Sequence, residues 1–545
     1  MIKKFLNRRA RFRLYTILRG HRKLKEINEL ERINNLKQAL ASTPCIKIHN
    51  YSKLIFGTEI EQAELIIRQY LLAHIEGKYL TKDILYSIGN SGSPITYPLP
   101  FEWRKVVNSH GFKINRYLGI IHWNVFVILK FVSGVLSFTL KIFRDLIQII
   151  KKDNPLKGRY VYFDTLSRHN FPLTSSRGSM QNIFTWYLQW SGKTPNFDSL
   201  CHDVKGINNG VVENMPVIPI SSPLPFLTKM RGLLGLFMWG LVTIFTSLVD
   251  LIRGHWWHAL FFSESYKSKV FSIAEYDELA KDYLFHNSGW IYRPLWTYEA
   301  EKRGSRIIFY FYSTNCEGFK NSEGYTLPYF GWKTATWNPI LVWDCGQQDF
   351  INRSLDKKVT TYVVGPIWFE SGLEYLPELP PNSIAVFDVQ PVRDSIYNTF
   401  GVHIDYYIPL NCNQFLLDIY EVLSKNDSNM ILKRKRNVRG FIHFFYWNLI
   451  NQLIKKNNFM SLDPDIRAEQ LIENCQAVIS MPFTSTAIIA RELGKPSIYY
   501  FPNDLVQKDD RAAHGIPIII GQIELELWLN KVMKEPIMDL NKRHV

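Results

Sequence analysis

The stretch "SMPFTSTAIIARELGKPSIYYFP", residues 480–502, decides the fold prediction. Its pattern predicts the end of a strand, a short loop rich in hydroxyl groups, a helix and a second strand. Gly494 is typical of a helix end, and Pro496 marks the start of the next strand. In α/β sheets of this kind, ligands bind beyond the carboxyl ends of the parallel strands. A ligand site is therefore expected at the loop.

Three adjacent hydroxyls, those of Thr484, Ser485 and Thr486, occupy this loop. Because the start of a helix attracts anions, one interpretation is a phosphate site. The alternative is ordinary helix capping by Ser or Thr, for which one residue suffices. Glu492, two turns further on, is interpreted either as a ligand for a sugar hydroxyl or as a surface carboxylate.

A second cationic strand end lies upstream, in "NMILKRKR", residues 429–436. Here Lys433 and Lys435 follow an apolar run, so we expect one or both to face the same cleft as the hydroxyls. A solvated basic turn is the alternative. The two features together favour an anionic ligand, with phosphate as the natural candidate.

Composition limits the function classes. The chain has 545 residues, 46% of them hydrophobic, and a formal net charge of +16. This length predicts two or three domains, and the charge suggests a membrane surface, a nucleic acid or a phosphorylated substrate as partner. The six cysteines show no paired spacing, which favours a reducing, cytoplasmic setting without a zinc site or disulfide framework. No cofactor and no metal are expected.

Apolar runs along the chain predict three regions. Residues 1–153 form a helical, basic region able to associate with a membrane. Residues 154–372 form a Rossmann-like domain with an apolar helical insertion at 226–265. Residues 373–545 form a second Rossmann-like domain. We expect the ligand cleft between the two α/β halves.

Membrane contact is suggested by the basic opening "MIKKFLNRRARFRLYTILRGHRKLK", which lacks the features of a secretory signal. A solvated tail is the alternative. Two apolar stretches, 120–143 and 232–249, are further candidates for membrane contact. The sequence leaves open whether they insert into the membrane. A single crossing at 232–249 would separate strands of one sheet. We therefore expect a buried or interfacial helix there, with Trp239, Trp256 and Trp257 as anchors at the lipid headgroups; an ordinary core helix is the alternative.

The segment "LIENCQAVISMPFTSTAIIARELGKPSIYY" with the following "AAHGIPIIIGQIELELWL" resembles the donor-binding half of GT-B glycosyltransferases. It is most similar to bacterial surface-carbohydrate transferases of the sialyl-, polysialyl- and Kdo-transferase group. Weaker similarity extends over roughly residues 90–530. The resemblance implies an α/β fold of two Rossmann-like domains facing a cleft, with a helical N-terminal region, and metal-independent catalysis. It makes 154–372 the acceptor domain and 373–545 the domain for the donor nucleotide.

The resemblance also implies residue roles. Ser485 and Thr486 match a serine-rich motif that holds the phosphate or nucleotide of a CMP-sugar. Lys433 and Lys435 stand where the family has a His-Pro pair, so they would neutralise a leaving phosphate without donating a proton. In "NCEGF", Glu317 remains from an acidic motif that supplies the acceptor-activating base, but the first acid of that motif is missing.

The sequence offers several candidates for the catalytic base. The candidates at strand ends in the first α/β half are Asp164, His169, Glu317 and Asp344. Each is alternatively a turn residue. Asp388, in "AVFDVQP", lies near the hinge, where it serves either donor binding or packing.

These patterns predict a glycosyltransferase that uses a nucleotide-sugar donor. The expected sugar is a nonulosonic or Kdo-like acid from a CMP donor, and the acceptor a bacterial surface polysaccharide or a lipid-linked glycan. The enzyme would lie peripherally at the inner face of the cytoplasmic membrane. The alternative is a non-catalytic GT-B-like component of glycan assembly or export. No nucleic-acid partner is expected, because no RNP, KH or zinc motif is present.

Overall fold

The computed structural model describes most of the chain. The described residues are 2–27, 29, 31–43, 57, 60–74, 80–151, 159–166, 182–192, 197–207, 209–220, 222–287, 291–313, 317–325, 330–355, 357–367, 376–391, 406–434, 442–464 and 466–534. Of the predicted site residues, His169 and Lys435 lie outside these ranges.

Helices precede the first strand and then alternate with strands. The helices are α1 (Ile2–Glu26), α2 (Glu31–Ser42), α3 (Ile60–Leu71), α4 (Thr81–Gly89), α5 (Phe101–Ser109), α6 (Arg116–Lys151), α7 (Ile183–Ser191), α8 (Met230–Ile252), α9 (Trp257–Ile273), α10 (Trp296–Lys302), α11 (Cys345–Ser354), α12 (Pro409–Lys425), α13 (Phe444–Leu453), α14 (Ala468–Asn474), α15 (Ser485–Glu492) and α16 (Gly521–Lys534). Short 3₁₀ turns lie at Tyr276–Glu278, Phe330–Thr334 and Arg511–Ala513.

The strands fall into two main sheets and one small hairpin. They are β1 (Tyr160–Phe163), β2 (Ser199–His202), β3 (Gly210–Val212), β4 (Met215–Pro219), β5 (Asp282–His286), β6 (Arg306–Tyr310), β7 (Lys320–Asn321), β8 (Gly324–Tyr325), β9 (Ile340–Val342), β10 (Thr361–Val363), β11 (Ser383–Phe387), β12 (Asn429–Lys433), β13 (Phe459–Leu462), β14 (Ala477–Ser480), β15 (Ser497–Phe501) and β16 (Ile518–Ile520).

The first sheet has the order β10-β9-β6-β5-β1-β2-β4-β3. Its strands are parallel except for the edge strand β3, which pairs antiparallel with β4. The chain starts in the middle with β1, builds outward through β2 and β4, and then returns to the other side of β1 with β5. The order reverses between β1 and β5, and this reversal is the switch point at which α/β sheets form ligand crevices.

The second sheet is wholly parallel, in the order β13-β12-β11-β14-β15-β16. This is the strand order 3-2-1-4-5-6 of the Rossmann fold, with its switch point between β11 and β14. All side chains of β11 and β14 are buried, as expected for central strands covered by helices on both faces. The continuous apolar runs "SIAVF" and "AVIS" produce this burial.

The predicted fold class is confirmed: two Rossmann-like α/β units follow a helical N-terminal region. The residue boundaries of the three predicted regions stay predictions.

The N-terminal helices are packed onto the first α/β unit. The side-chain amide of Gln69 in α3 donates to the carbonyl oxygen of Thr334, and its amide oxygen accepts from the backbone N–H of Arg293. Helices α5 and α6 follow each other closely in this region. Gly111, at φ 79°, makes the turn between them, since this left-handed conformation favours glycine.

Helices α6 and α8 contain the two apolar stretches of the sequence. Both are long and apolar enough to cross a membrane, yet only 28% and 33% of their most apolar windows are buried. The alternative of an ordinary core helix for 232–249, which lies in α8, is therefore wrong. Trp239, Trp256 and Trp257 are each less than a tenth exposed. The expectation that they anchor at lipid headgroups is also wrong, because they pack inward.

Candidate functional site

A cavity of about 400 Å³ lies at the switch point of the second sheet. Its floor is formed by the residues that follow β11 and β14, the two central strands. The first α/β unit contributes further lining residues, so the cavity lies between the two halves of the molecule. The residues that line it are Glu317, Phe319, Phe387, Asp388, Val389, Tyr407, Lys433, Ala468, Phe483, Thr484, Ser485, Thr486 and Ala512.

Sheet register explains why these residues meet. Phe387 pairs with Lys433 of β12 on one side and with Ser480 of β14 on the other. Three adjacent strands thus end at the same level. Polar residues that follow each strand are consequently brought to one edge of the sheet.

A strained turn links β14 to helix α15. Phe483 has φ 63°, a left-handed conformation that is unfavourable for a bulky side chain. Three contacts hold it. Its ring packs on Phe319 of the first unit at 4.6 Å between centroids, Tyr407 donates to the carbonyl oxygen of Pro482 at 3.0 Å, and Tyr499 donates to that of Thr484 at 2.8 Å.

The three predicted hydroxyls all line the cavity. Thr484 occupies the cap position of α15, but its side chain makes no capping hydrogen bond and instead donates to the carbonyl oxygen of Met481 at 2.9 Å. Thr486 shares a hydrogen bond with Ser480 at 2.8 Å. Simple capping therefore does not explain the hydroxyl run. The first N–H groups of the helix have no intrahelical partner and stay available to a ligand.

Positive charge enters the cavity from β12. Lys433, its last residue, lines the cavity and donates to the carbonyl oxygen of Pro464 at 3.1 Å. The half-buried Lys433 thus lies in the cavity lining instead of in a fully solvated turn. Its role toward an anion stays a prediction.

Asp388 is the buried carboxyl group of the cavity. It follows β11, is 3% exposed and accepts a hydrogen bond from Tyr446. Burial raises its pKa to about 6, against the opposing effects of the Tyr446 hydrogen bond and the charges of Arg434 and Lys433. Among the described residues, no donor reaches its second oxygen, Oδ1.

The first unit reaches the cavity through the segment before hairpin β7–β8. Glu317 lines the cavity and is ion-paired with Arg353 at 2.6 Å, which fixes the orientation of its carboxylate. Phe319 follows and supplies the ring that packs on Phe483. The cavity thus contains one carboxylate from each half of the molecule.

Two further contacts join the halves. Asp344, the N-cap of α11, accepts from His514 Nδ1 at 2.8 Å and lies 3.4 Å from Arg491. The backbone N–H of Lys320 in β7 donates to Asp510 at 2.8 Å. Asp344 was a candidate base, but its oxygens are engaged in this bridge and it does not line the cavity.

A second cavity, of about 390 Å³, lies at the switch point of the first sheet. Asp164 follows β1 there, and His286 ends β5 beside it, with its Nε2 3.0 Å from the carbonyl oxygen of Thr165. Burial raises the pKa of Asp164 to about 6, with the charge of Asp203 adding to the rise and a hydrogen bond from Thr165 opposing it. His74, from the N-terminal region, completes the polar lining.

The remaining predicted residues lie elsewhere. Glu492 ends α15, opposite the helix start that faces the cavity, and pairs with Arg491 at 3.0 Å. Its predicted contact with a sugar stays a prediction, as do the roles of His169 and Lys435. Within the described residues, no group of three or more His, Cys, Asp or Glu side chains is placed to hold a metal ion.

The sequence analysis gave no role to several residues whose neighbours in the structure come from the other α/β unit. Phe319, Tyr407 and His514 lie far apart in the chain, and the sequence analysis assigned no role to any of them. Asp388 had a detectable signal, a charged residue directly after a buried strand, but its burial could not be foreseen.

Fold and site together define a two-domain α/β protein with an anion-compatible cavity at a Rossmann switch point. The chain belongs to the family of polysaccharide biosynthesis PFTS motif proteins, whose family model matches residues 239–529, more than half of the chain. Residues 482–485 read Pro-Phe-Thr-Ser. The letters of the family description are thus those of the strained turn and of the first two hydroxyls in the cavity.

Solved structures with a similar fold differ widely in sequence. The UDP-GlcNAc 2-epimerase from Methanocaldococcus jannaschii is 11% identical, with a TM-score of 0.35 over 71% of this chain and 94% of that chain. The wall teichoic acid polymerase TagF is 12% identical, with a TM-score of 0.34 over 73% and 89%. The glycotransferase of kitacinnamycin is 10% identical, with a TM-score of 0.36 over 70% and 92%. At these scores the likeness assigns no activity. Curated protein sequences gave no match.

Proposed function

We propose that this protein transfers a sugar from a nucleotide-sugar donor to a growing polysaccharide or lipid-linked glycan. One observation carries the proposal: the uncapped start of α15, with Ser485 and Thr486, and the ammonium group of Lys433 line one cavity at a Rossmann switch point. Backbone N–H groups, hydroxyls and a lysine are the groups that bind phosphate in proteins.

The transfer needs a site for the leaving group. An acceptor hydroxyl attacks the anomeric carbon, its oxygen forms the new glycosidic bond, and the bond from that carbon to the phosphate oxygen breaks. The electron pair leaves with the nucleotide, whose negative charge Lys433 and the helix start would stabilise. The proton of the acceptor hydroxyl goes to a base.

Two described carboxylates compete for the role of base. Glu317 lines the donor cavity from the first unit. Asp164 lies at the other switch point, and its pKa of about 6 suits proton abstraction near neutral pH. Transfer assays with Glu317→Gln and Asp164→Asn would distinguish them, since only loss of the base lowers the rate while leaving nucleotide affinity unchanged. His169 stays a third candidate.

The donor is a finer proposal. A CMP-linked nonulosonic or Kdo-like acid fits the resemblance to sialyl- and Kdo-transferases, and polysaccharide biosynthesis fits the family. Calorimetric titration of the full chain with CMP, UDP, GDP and dTDP would identify the nucleotide. We expect one of them to bind clearly more tightly than the others.

Two variants test whether the nucleotide binds in this cavity. We expect Lys433→Ala to weaken nucleotide binding by about 10- to 100-fold, because a hydrogen bond to a charged group contributes about 1.5–3 kcal/mol. Ser485→Ala should weaken it by about tenfold or less, as for a neutral hydrogen bond. Lys456→Ala, at an exposed lysine of the same unit, is the control. Equal affinity in all four proteins, or no nucleotide binding at all, would favour a non-catalytic assembly component.

A further inference from the structure

Helices α6 and α8 form one outward surface. Both pack on the buried helix α9 and touch each other, with the Phe138 ring of α6 lying directly over Gly240 of α8. The faces opposite α9 therefore lie side by side. We name this surface the apolar helix face, defined by the exposed side chains of Tyr117, Leu118, Ile121, Val125, Ile128, Leu129, Val132, Leu136, Leu140, Phe143, Ile147 and Ile150 in α6 and of Met230, Leu234, Phe237, Met238, Leu241, Val242, Phe245, Leu248 and Ile252 in α8.

The outward faces of these helices are largely apolar, unlike the outward face of a surface helix in a water-soluble protein. In α8 the polar residues Thr243, Ser247 and Asp250 are buried. In α6 the buried stripe includes Lys141 and Asp145, which pair with each other. Polar and paired charged groups facing inward, with apolar groups facing outward, are typical of helices surrounded by lipid.

The charged residues of α6 and α8 favour a lipid bilayer over a second copy of the chain as the partner that covers the apolar helix face. The exposed charged residues of α6 and α8 are all basic, namely Arg116, Lys130, Arg144, Lys151 and Arg231. The only acids of the two helices, Asp145 and Asp250, are buried. An anionic bilayer complements such a surface, whereas two copies would bring like charges together.

Topology does not allow a single crossing of the membrane by either helix. Strands β4 and β5 lie before and after α8 but belong to one sheet. Gln69 precedes α6 yet bonds to Thr334, which follows it. Helix α6, at 36 residues, is about 54 Å long, well beyond the hydrocarbon thickness of about 30 Å. Both helices must consequently lie along the membrane.

We propose that the apolar helix face is a monotopic membrane anchor, which inserts α6 and α8 side by side into one leaflet of an anionic bilayer. Insertion of this kind is held by apolar contact and only assisted by charge. The anchor is independent of the proposed transfer reaction and would keep any membrane-bound substrate within reach.

Vesicle co-sedimentation of the full chain tests the anchor. We would use phosphatidylcholine vesicles containing phosphatidylglycerol, at low salt and in 1 M NaCl, where the Debye length falls to about 3 Å. Wild type should stay bound in 1 M NaCl. The double variant Leu136→Glu with Phe245→Glu should lose at least about tenfold in vesicle affinity, because charged groups resist burial in lipid.

The matched control is Ile523→Glu with Leu527→Glu, the same kind of change at exposed apolar positions of α16. It should bind like wild type, and circular dichroism of all three proteins checks folding. Equal vesicle binding by both double variants would overturn the anchor, as would wild-type binding that vanishes in 1 M NaCl. A stable dimer in sedimentation velocity, abolished by the first variant and accompanied by no vesicle binding, would assign the face to a second copy instead.

Discussion

Asp388, in the donor cavity, makes the stability of the fold depend on pH. Its carboxyl group has a pKa near 6 in the folded chain against 3.8 for an ordinary aspartate. Because the folded pKa is raised, protonation stabilises the fold, and this contribution is fully present below pH 3.8 and lost as pH rises through about 6. At about 1.4 kcal/mol for each pKa unit, the loss is on the order of 3 kcal/mol.

Asp388→Asn should therefore remove part of the fall in stability above pH 6. The amide still accepts the hydrogen bond from Tyr446 but carries no charge. We expect the melting temperature of the variant to exceed that of wild type at pH 8 and to approach it at pH 4. Asp504→Asn, at an exposed position, is the control. A variant that is less stable than wild type at pH 8 would show that the ionised carboxylate is favourable in the cavity.

Residues with a local sequence signal could be placed near one another in advance. Ser485 and Thr486 come shortly after an apolar strand and Lys433 ends one, and strand ends in a parallel sheet meet at one edge. Sequence reasoning could not find His514 or Phe319, whose neighbours come from the opposite half of the molecule. Whether Glu492 contacts a sugar depends on the ligand's orientation, which neither strand order nor burial determines.

At the level of elements, hydropathy detected α6 and α8 but not the face that each buries. Both faces of these helices are largely apolar. The usual rule that apolar residues point inward therefore cannot tell the buried face from the exposed face. The small and polar residues of α8 settle the orientation, since Gly240 permits the close approach of Phe138. The tryptophans misled the prediction because aromatic residues suit both a core and a lipid interface.

Two glycines of α8 test this packing. A Cβ atom added at Gly240 would lie 2.1 Å from the ring of Phe138, which is itself buried. We expect Gly240→Ala to destabilise the protein by about 1–3 kcal/mol through overpacking. Gly235→Ala, in the same helix, meets nothing within 4 Å and should be neutral or stabilising by up to about 1 kcal/mol. Thermal unfolding compares the two, and equal effects would contradict the α6–α8 contact.

For the whole molecule, the alternation of strands and helices was enough to predict two Rossmann-like units, because each βαβ repeat is visible along the chain. The arrangement of the units against each other was not predictable. It rests on contacts such as the bridge from Asp344 to Arg491 and His514, which lie 147 and 170 positions further along the chain.

Asp344→Asn should loosen the two halves. The pKa of Asp344 is lowered, against the effect of burial, by the hydrogen bond and charge of His514 and the charge of Arg491. Its stabilising contribution is therefore present at neutral pH and is lost as pH falls below about 4. Removing the charge should cost about 2 kcal/mol and raise the radius of gyration in small-angle X-ray scattering at pH 7. An unchanged radius would mean that the hairpin contacts with Asp510 suffice for closure.

The central claim is that a nucleotide phosphate binds at the Pro-Phe-Thr-Ser turn. A crystal structure of the full chain with its preferred nucleotide tests this most directly. We predict the phosphate within hydrogen-bond distance of the Ser485 hydroxyl, the first N–H groups of α15 and Lys433 Nζ. A phosphate bound away from this turn, with the cavity filled only by solvent, would contradict the account.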